Sequence, residues 1–164
     1  MKAASTRDCE EILEGFRVQH IDIPDVLLQE LAYNYGLDAP CDIDPLDIVE
    51  IVSKPGPFDV LTADIASQQQ ADGALSDLLM EAEAKGIKVG TVGGALLVVK
   101  QTDMHFSTFI KMHTRLMDTL HPSRAALLQA MYCESNLAGG VHLKLILTGI
   151  NTLEEFVGPR ERRP

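Results

Sequence analysis

The sequence predicts an α+β domain that is predominantly helical, with about six to eight short helices packed around one β-hairpin spanning Ile87-Val99. Three observations predict it. Apolar residues recur at three- and four-residue spacing along most of the 164-residue chain, the mark of helices that bury one face. Prolines and glycines interrupt that pattern at short intervals, so the helices are short. One segment, Ile87 to Val99, departs from it: two β-rich runs are joined by Gly93-Gly94, a pair suited to a tight hairpin turn. Hydrophobic residues make up 46% of the chain, charged residues 23% and aromatics only 5%, which is the composition of a folded domain with an aliphatic core.

Taken in order, Asp8 to Gln19 carries acids in its first turn and Ile12, Leu13 and Phe16 on one face, as a helix does. Pro24 suits the first position of a helix through Tyr35, which Gly36 stops. Asp44 caps a short helix through Val52, and Lys54-Pro55-Gly56-Pro57 breaks it. Phe58 to Gln70 reads as a helix. Ala74 to Lys85 is another, with Leu75, Leu78, Leu79 and Ala82 sharing a face and Gly86 as its cap. After the hairpin, Asp103 to Leu120 is a helix with Phe106, Phe109, Ile110, His113, Leu116, Met117 and Leu120 inward. Pro122 opens a further helix to about Leu137. Val141 to Leu147 fits a strand or a helix, and helix is favoured. Asn151 or Thr152 caps a last one, with Thr152 and Glu155 at capping-box spacing. Residues 1–157 are thus expected to form one globular domain, with a candidate sub-boundary at 54–57 and a basic, flexible tail over 158–164.

Charge is distributed unevenly. Residues 1–90 hold 18 acids against 6 bases, a net of −12, whereas residues 91–164 hold 6 against 8, a net of +2. Phosphate neutralisation needs clustered Lys and Arg, so direct nucleic-acid binding is not expected. An acidic half suits docking on a basic protein surface instead. The candidate partner-binding residues are therefore Asp38, Asp42, Asp44, Asp47, Glu50, Asp59 and Asp64, with Lys88, Gly90 and Val92 on the hairpin edge. That edge also offers a route to a homodimer. The expectation is a non-catalytic acidic protein-interaction module, a regulator or inhibitor that covers a basic, nucleic-acid-binding surface of its partner. Two alternatives stand beside it. One is a nucleic-acid accessory protein using the hairpin and the Arg160–Arg163 tail. The other is a small enzyme with a dispersed site built on His105 or His113 and a carboxylate such as Asp118.

Motifs for specific chemistry are lacking. His105, His113 and His121 lie eight residues apart, about 12 Å of helical rise, too far for a shared metal. Gly90-Thr91-Val92-Gly93-Gly94 lacks both the dinucleotide and the phosphate-loop order. Neither a cofactor nor a metal is expected. The three cysteines, Cys9, Cys41 and Cys133, are widely spaced and suit reduced thiols in a cytoplasm. The first residues show no secretory signal, and the longest apolar run, Ala95 to Val99, is far short of a membrane span. Two local likenesses exist. Leu78 to Val99 resembles the opening of the docking domains of peptide-synthetase assembly lines, which implies a partner's tail along the hairpin edge. Leu147-Thr148-Gly149-Ile150 resembles the Gly-Ile turn of helix-hairpin-helix folds that touch DNA backbones, without their second glycine.

Overall fold

A computed structural model describes residues 38–41, 47, 50, 51, 53–102, 105–120, 125–133, 137 and 140–150. In chain order these form β1 (Asp38–Cys41), β2 (Asp59–Ile65), α1 (Ala71–Ala84), β3 (Gly94–Gln101), α2 (Phe106–Thr119), β4 (Ala126–Cys133) and β5 (Val141–Thr148). Single turns of 3-10 helix stand at Gln68–Gln70 and Val89–Thr91. The strands make one mixed sheet in the order β1-β4-β3-β5-β2. The predicted helix-rich architecture is therefore corrected: among the described residues the molecule is a five-stranded sheet carrying two long helices.

β3 lies at the centre of that sheet. All eight of its residues are buried, and a strand covered on both faces has no reason to alternate apolar with polar. It pairs with β4 in parallel and with β5 antiparallel. α2 makes the crossover from β3 to β4 that a parallel pair requires. β2 pairs antiparallel with β5, so β2 and β3 run the same way, and so do the helices that follow them. Both helices cover one face of the sheet. There Leu61, Ala95, Leu97, Val99, Leu143, Leu145 and Leu147 pack with Leu75, Leu78, Leu79, Ala82, Met112 and Leu116. Leu96, Val98, Ala130, Tyr132 and Ile146 point to the opposite face and are also buried.

The predicted hairpin does not form. Val89–Thr91 is a 3-10 turn, and Gly93-Gly94 serves a close backbone crossing rather than a turn. The Gly93 N–H donates to the Thr148 and Gly149 carbonyls at 2.9 and 3.1 Å. A side chain on Gly94 would put its Cβ 2.8 Å from Thr148 Oγ1, and Gly149 has φ +60 with Gly93 Cα 3.1 Å from its own Cβ position. Only glycine lets the two segments approach this closely.

Three other helices predicted from the sequence are strands. In β2, Leu61, Ala63 and Ile65 face the helices while Thr62 and Asp64 are exposed, which is a period of two, not of 3.6. β4 (Ala-Leu-Leu-Gln-Ala-Met-Tyr-Cys) is a short apolar run that a sheet has claimed by pairing on both sides. β5 follows its alternation of Val141, Leu143, Leu145 and Leu147. Two predicted helices do form. α1 ends with Gly86 N–H on Glu83 O (2.9 Å) and Ile87 N–H on Ala82 O (3.0 Å), the paired bonds of a Schellman cap. α2 occupies most of the segment predicted for it. Asp47, Glu50 and Ile51 are helical, as the Asp44–Val52 reading expects. The helices predicted over 8–19 and 24–35, the one capped near 151, and the basic tail lie outside the described residues.

Candidate functional site

Each helix presents an outer surface of distinct chemistry. α1 buries Ala71, Ala74, Leu75, Leu78, Leu79 and Ala82 against the sheet. Its outward side shows Asp77, Met80, Glu81 and Glu83, and Met80 is 58% exposed. α2 buries only Met112 and Leu116 fully. Phe106, Ile110 and Met117, read inward from the sequence, are 47%, 59% and 46% exposed. At 100° per residue the seven predicted inward positions span about 120°, but the buried side is centred on Met112 and Leu116, at one edge of that arc. Phe106, Ile110, His113 and Met117 instead form a second stripe beside the buried one. His113 Nδ1 lies 3.0 Å from Gln129 Oε1 on β4, which fixes this stripe above the sheet's β4 side.

Between the helices runs an open groove with two adjoining cavities of about 500 and 650 Å³. Asp72 and Lys111 border both. Across the groove Arg115 grips Asp72 with two parallel bonds, Nε to Oδ1 at 2.8 Å and an Nη to Oδ2 at 2.7 Å. The hydrogen bond from Arg115 holds the Asp72 carboxyl below its usual range, opposed by desolvation and helped by the positive charges of Arg115 and Lys111. Apart from Ile110, the rest of the rim is polar and includes Ser67, Gln69, His105, Ser107, Thr108 and Thr114.

The sequence-predicted site residues are not brought together. Asp38 sits on β1, and Asp42 and Asp44 lie outside the described residues. Asp47 is exposed on its helical segment, and Glu50 is 3.4 Å from Lys54 Nζ. Asp59 and Asp64 occupy opposite ends of β2. Asp59 accepts from its neighbour Val60 N–H and from Lys85; Lys85, bonded first by Glu81 and then by Asp59, has its ammonium held above the usual range. Asp64 Oδ1 is 2.6 Å from His142 Nδ1. Glu50 and Asp59 thus face cations of their own chain, and Asp64 faces an imidazole. Lys88 and Gly90 are exposed in the turn before β3, and Val92 is buried. With β3 central, no hairpin edge is left at which a second copy could add. His113 turns to an amide, not to Asp118, and His105 stands at the start of α2. Among the described residues no three metal-ligating groups converge, and no helix is long and apolar enough to cross a membrane. The sequence reading missed Asp72, Arg115 and Lys111; the only signal was their polar position between apolar neighbours, which any solvated helix face shares.

This order of elements, with two parallel helices on one face of a mixed sheet, recurs in other solved structures. FtsZ from M. jannaschii superposes with a TM-score of 0.64 at 19% identity, over 77% of this chain and 39% of that one. TubZ, of type III plasmid segregation, gives 0.54 at 13% over 77% and 36%. The GDP-bound monomer of CetZ1 from Haloferax volcanii gives 0.50 at 14% over 78% and 40%. The chain therefore spans about two-fifths of the length of these neighbours. No protein-family model matches the sequence, and no curated protein is similar to it. The likeness is one of fold, and it does not fit the expected non-catalytic acidic regulator or inhibitor.

Proposed function

We propose that this chain is an assembly domain of the FtsZ, TubZ and CetZ kind, which joins its protein into polymers by contact with subunits of like fold. The observation that carries this is the TM-score of 0.64 to FtsZ across 77% of the chain. Solved forms of TubZ include protofilaments and multi-stranded helical filaments. Those neighbours are also solved with GDP or a GTP analogue. Among the described residues of this chain, however, the Gly90–Gly94 segment leads into a strand, so its amides do not collect at a helix N-terminus as a phosphate cradle needs. We assign the chain contacts between subunits. The unpaired Cys133 suits action in the cytoplasm, where thiols stay reduced.

High-speed sedimentation with negative-stain electron microscopy tests this, using the chain alone and mixed with a polymerising FtsZ. The expected result is chain in the pellet in at least one of the two conditions, with altered filament length or bundling in the mixture. A chain that stays in the supernatant in both, and leaves the FtsZ filaments unchanged, overturns it.

A further inference from the structure

β2 is the last strand of the sheet, with β5 on one side and no strand on the other among the described residues. The Val60 N–H donates to Asp59 Oδ1 at 3.0 Å, so this amide points out of the sheet. The Ile65 carbonyl oxygen points the other way, 2.8 Å from where a Gly140 Cβ would stand, just ahead of β5. Backbone groups of a strand in an antiparallel ladder alternate sides. Val60, Thr62 and Asp64 therefore present N–H and C=O outward, while Asp59, Leu61, Ala63 and Ile65 direct theirs to β5. Edge strands of monomeric proteins commonly carry a proline, a lysine or a bulge that spoils further pairing. β2 has none of the three. It reads Asp-Val-Leu-Thr-Ala-Asp-Ile in regular register, and its two acids lie against Lys85 and His142.

From this we infer that β2 pairs antiparallel with β2 of a second copy about a two-fold axis through Thr62. The alternation fixes the register, because such a ladder bonds outward residues only to outward residues. Of the registers this allows, the one centred on Thr62 pairs the whole strand. It sets Thr62 on its counterpart, Val60 beside Asp64, Leu61 beside Ala63 and Asp59 beside Ile65, so no acid lies opposite an acid. A slip of one residue would oppose Asp59 to Asp64, and the alternation forbids it. The strand is its own complement in polarity too. Leu61, Ala63 and Ile65 of both copies continue the helix-facing apolar layer, and the exposed Thr62 and Asp64 stay on the other face. The pairing adds about six backbone hydrogen bonds, two of which require the Val60 amide to leave Asp59. The seam is only about 24 Å long and belongs with the weak interfaces, so dimers should appear at roughly tens of micromolar. This contact rests on the sheet edge, not on the likeness to filament proteins, and goes beyond the assembly function proposed above.

Sedimentation equilibrium of the full chain tests it, with disulfide crosslinking and hydrogen exchange as second measurements. Wild type should show a monomer–dimer equilibrium. Thr62→Lys brings like charges together on the axis and should raise Kd by about tenfold or more. Thr62→Pro deletes the central outward amide, a change an edge strand tolerates, and should do the same. Thr62 is exposed, and circular dichroism will show that each variant keeps the fold. Thr62→Cys should form a covalent dimer on mild oxidation, since directly opposite residues stand within disulfide reach. Val60→Cys and Asp64→Cys should crosslink when mixed and not alone, with wild type as the control for the native cysteines. The Thr62 and Asp64 amides should exchange fast in dilute solution and slow as concentration rises through Kd. A wild type that stays monomeric, or a dimer indifferent to Thr62→Lys and Thr62→Pro, overturns the contact. Protection of those amides at every concentration also overturns it, because the edge would then be covered within one chain. Crosslinking by Val60→Cys alone rejects the axis at Thr62. A monomeric chain that still co-pellets with FtsZ removes this contact and leaves the assembly function standing, whereas a dimer that fails to co-pellet does the reverse.

Discussion

At the scale of the residue, two sites make sharp expectations. The Gly94 Cβ position is 2.8 Å from Thr148 Oγ1 and 3.2 Å from Ile51 Cγ2, and that hydroxyl donates to Ile51 O at 2.6 Å. Gly94→Ala must displace Thr148 or the backbone, so it should cost about 1–3 kcal/mol in urea unfolding, although alanine is small and apolar. Asp72 is the second site. Its folded-state pKa is depressed by Arg115, so the stability it lends is present above the carboxyl's ordinary value and is lost as pH falls through the folded one. Thermal melts of wild type and Asp72→Asn should therefore differ by a constant margin from neutrality down to about pH 4. Below that the two curves should converge. A gap that persists in strong acid would mean Asn disturbs the groove for a reason other than charge.

At the scale of the element, α2 separates core from surface. Leu116 is fully buried, and Ile110 is 59% exposed on the same helix. Leu116→Ala should lose about 2–5 kcal/mol by leaving a cavity, and Ile110→Ala should stay within about 0.5 kcal/mol. Equal losses would show that the exposed stripe is part of the core after all. α1 and α2 were legible because their periodicity is amphipathic and Gly86 marks a stop. β2, β4 and β5 were misread for a physical reason. A short apolar run such as Ala126–Cys133 satisfies both a helix and a buried strand, and only its partners decide. Those partners, β3 and β1, are distant in sequence and leave no local trace. Gly93-Gly94 misled in the same way, since glycine permits a turn and a close crossing alike. The candidate surface was less legible than the fold, because whether Ile110 and Met117 face inward depends on where the sheet ends beneath them.

At the scale of the whole molecule, several acids of the described residues have partners within the chain. Glu50, Asp59 and Asp72 each meet a cation of the same chain and Asp64 lies against His142, while Asp47, Asp77, Glu83 and Asp118 stand exposed. The sheet also ends differently on its two sides. β1 is four residues long, contains Pro40, and slips register between Asp38 and Cys41. Proline offers no amide and a bulge twists the rim, so a further strand finds no regular ladder there. β2 has seven residues in unbroken register with β5, and its outward amides carry no strand partner among the described residues. Hydrogen exchange should accordingly alternate along Asp59–Ile65, slow where an amide points to β5 and fast at the next. The domain is thus directional in its own hydrogen bonding: one border is blunt, the other is a template, and edge-to-edge pairing through that template ends at two units.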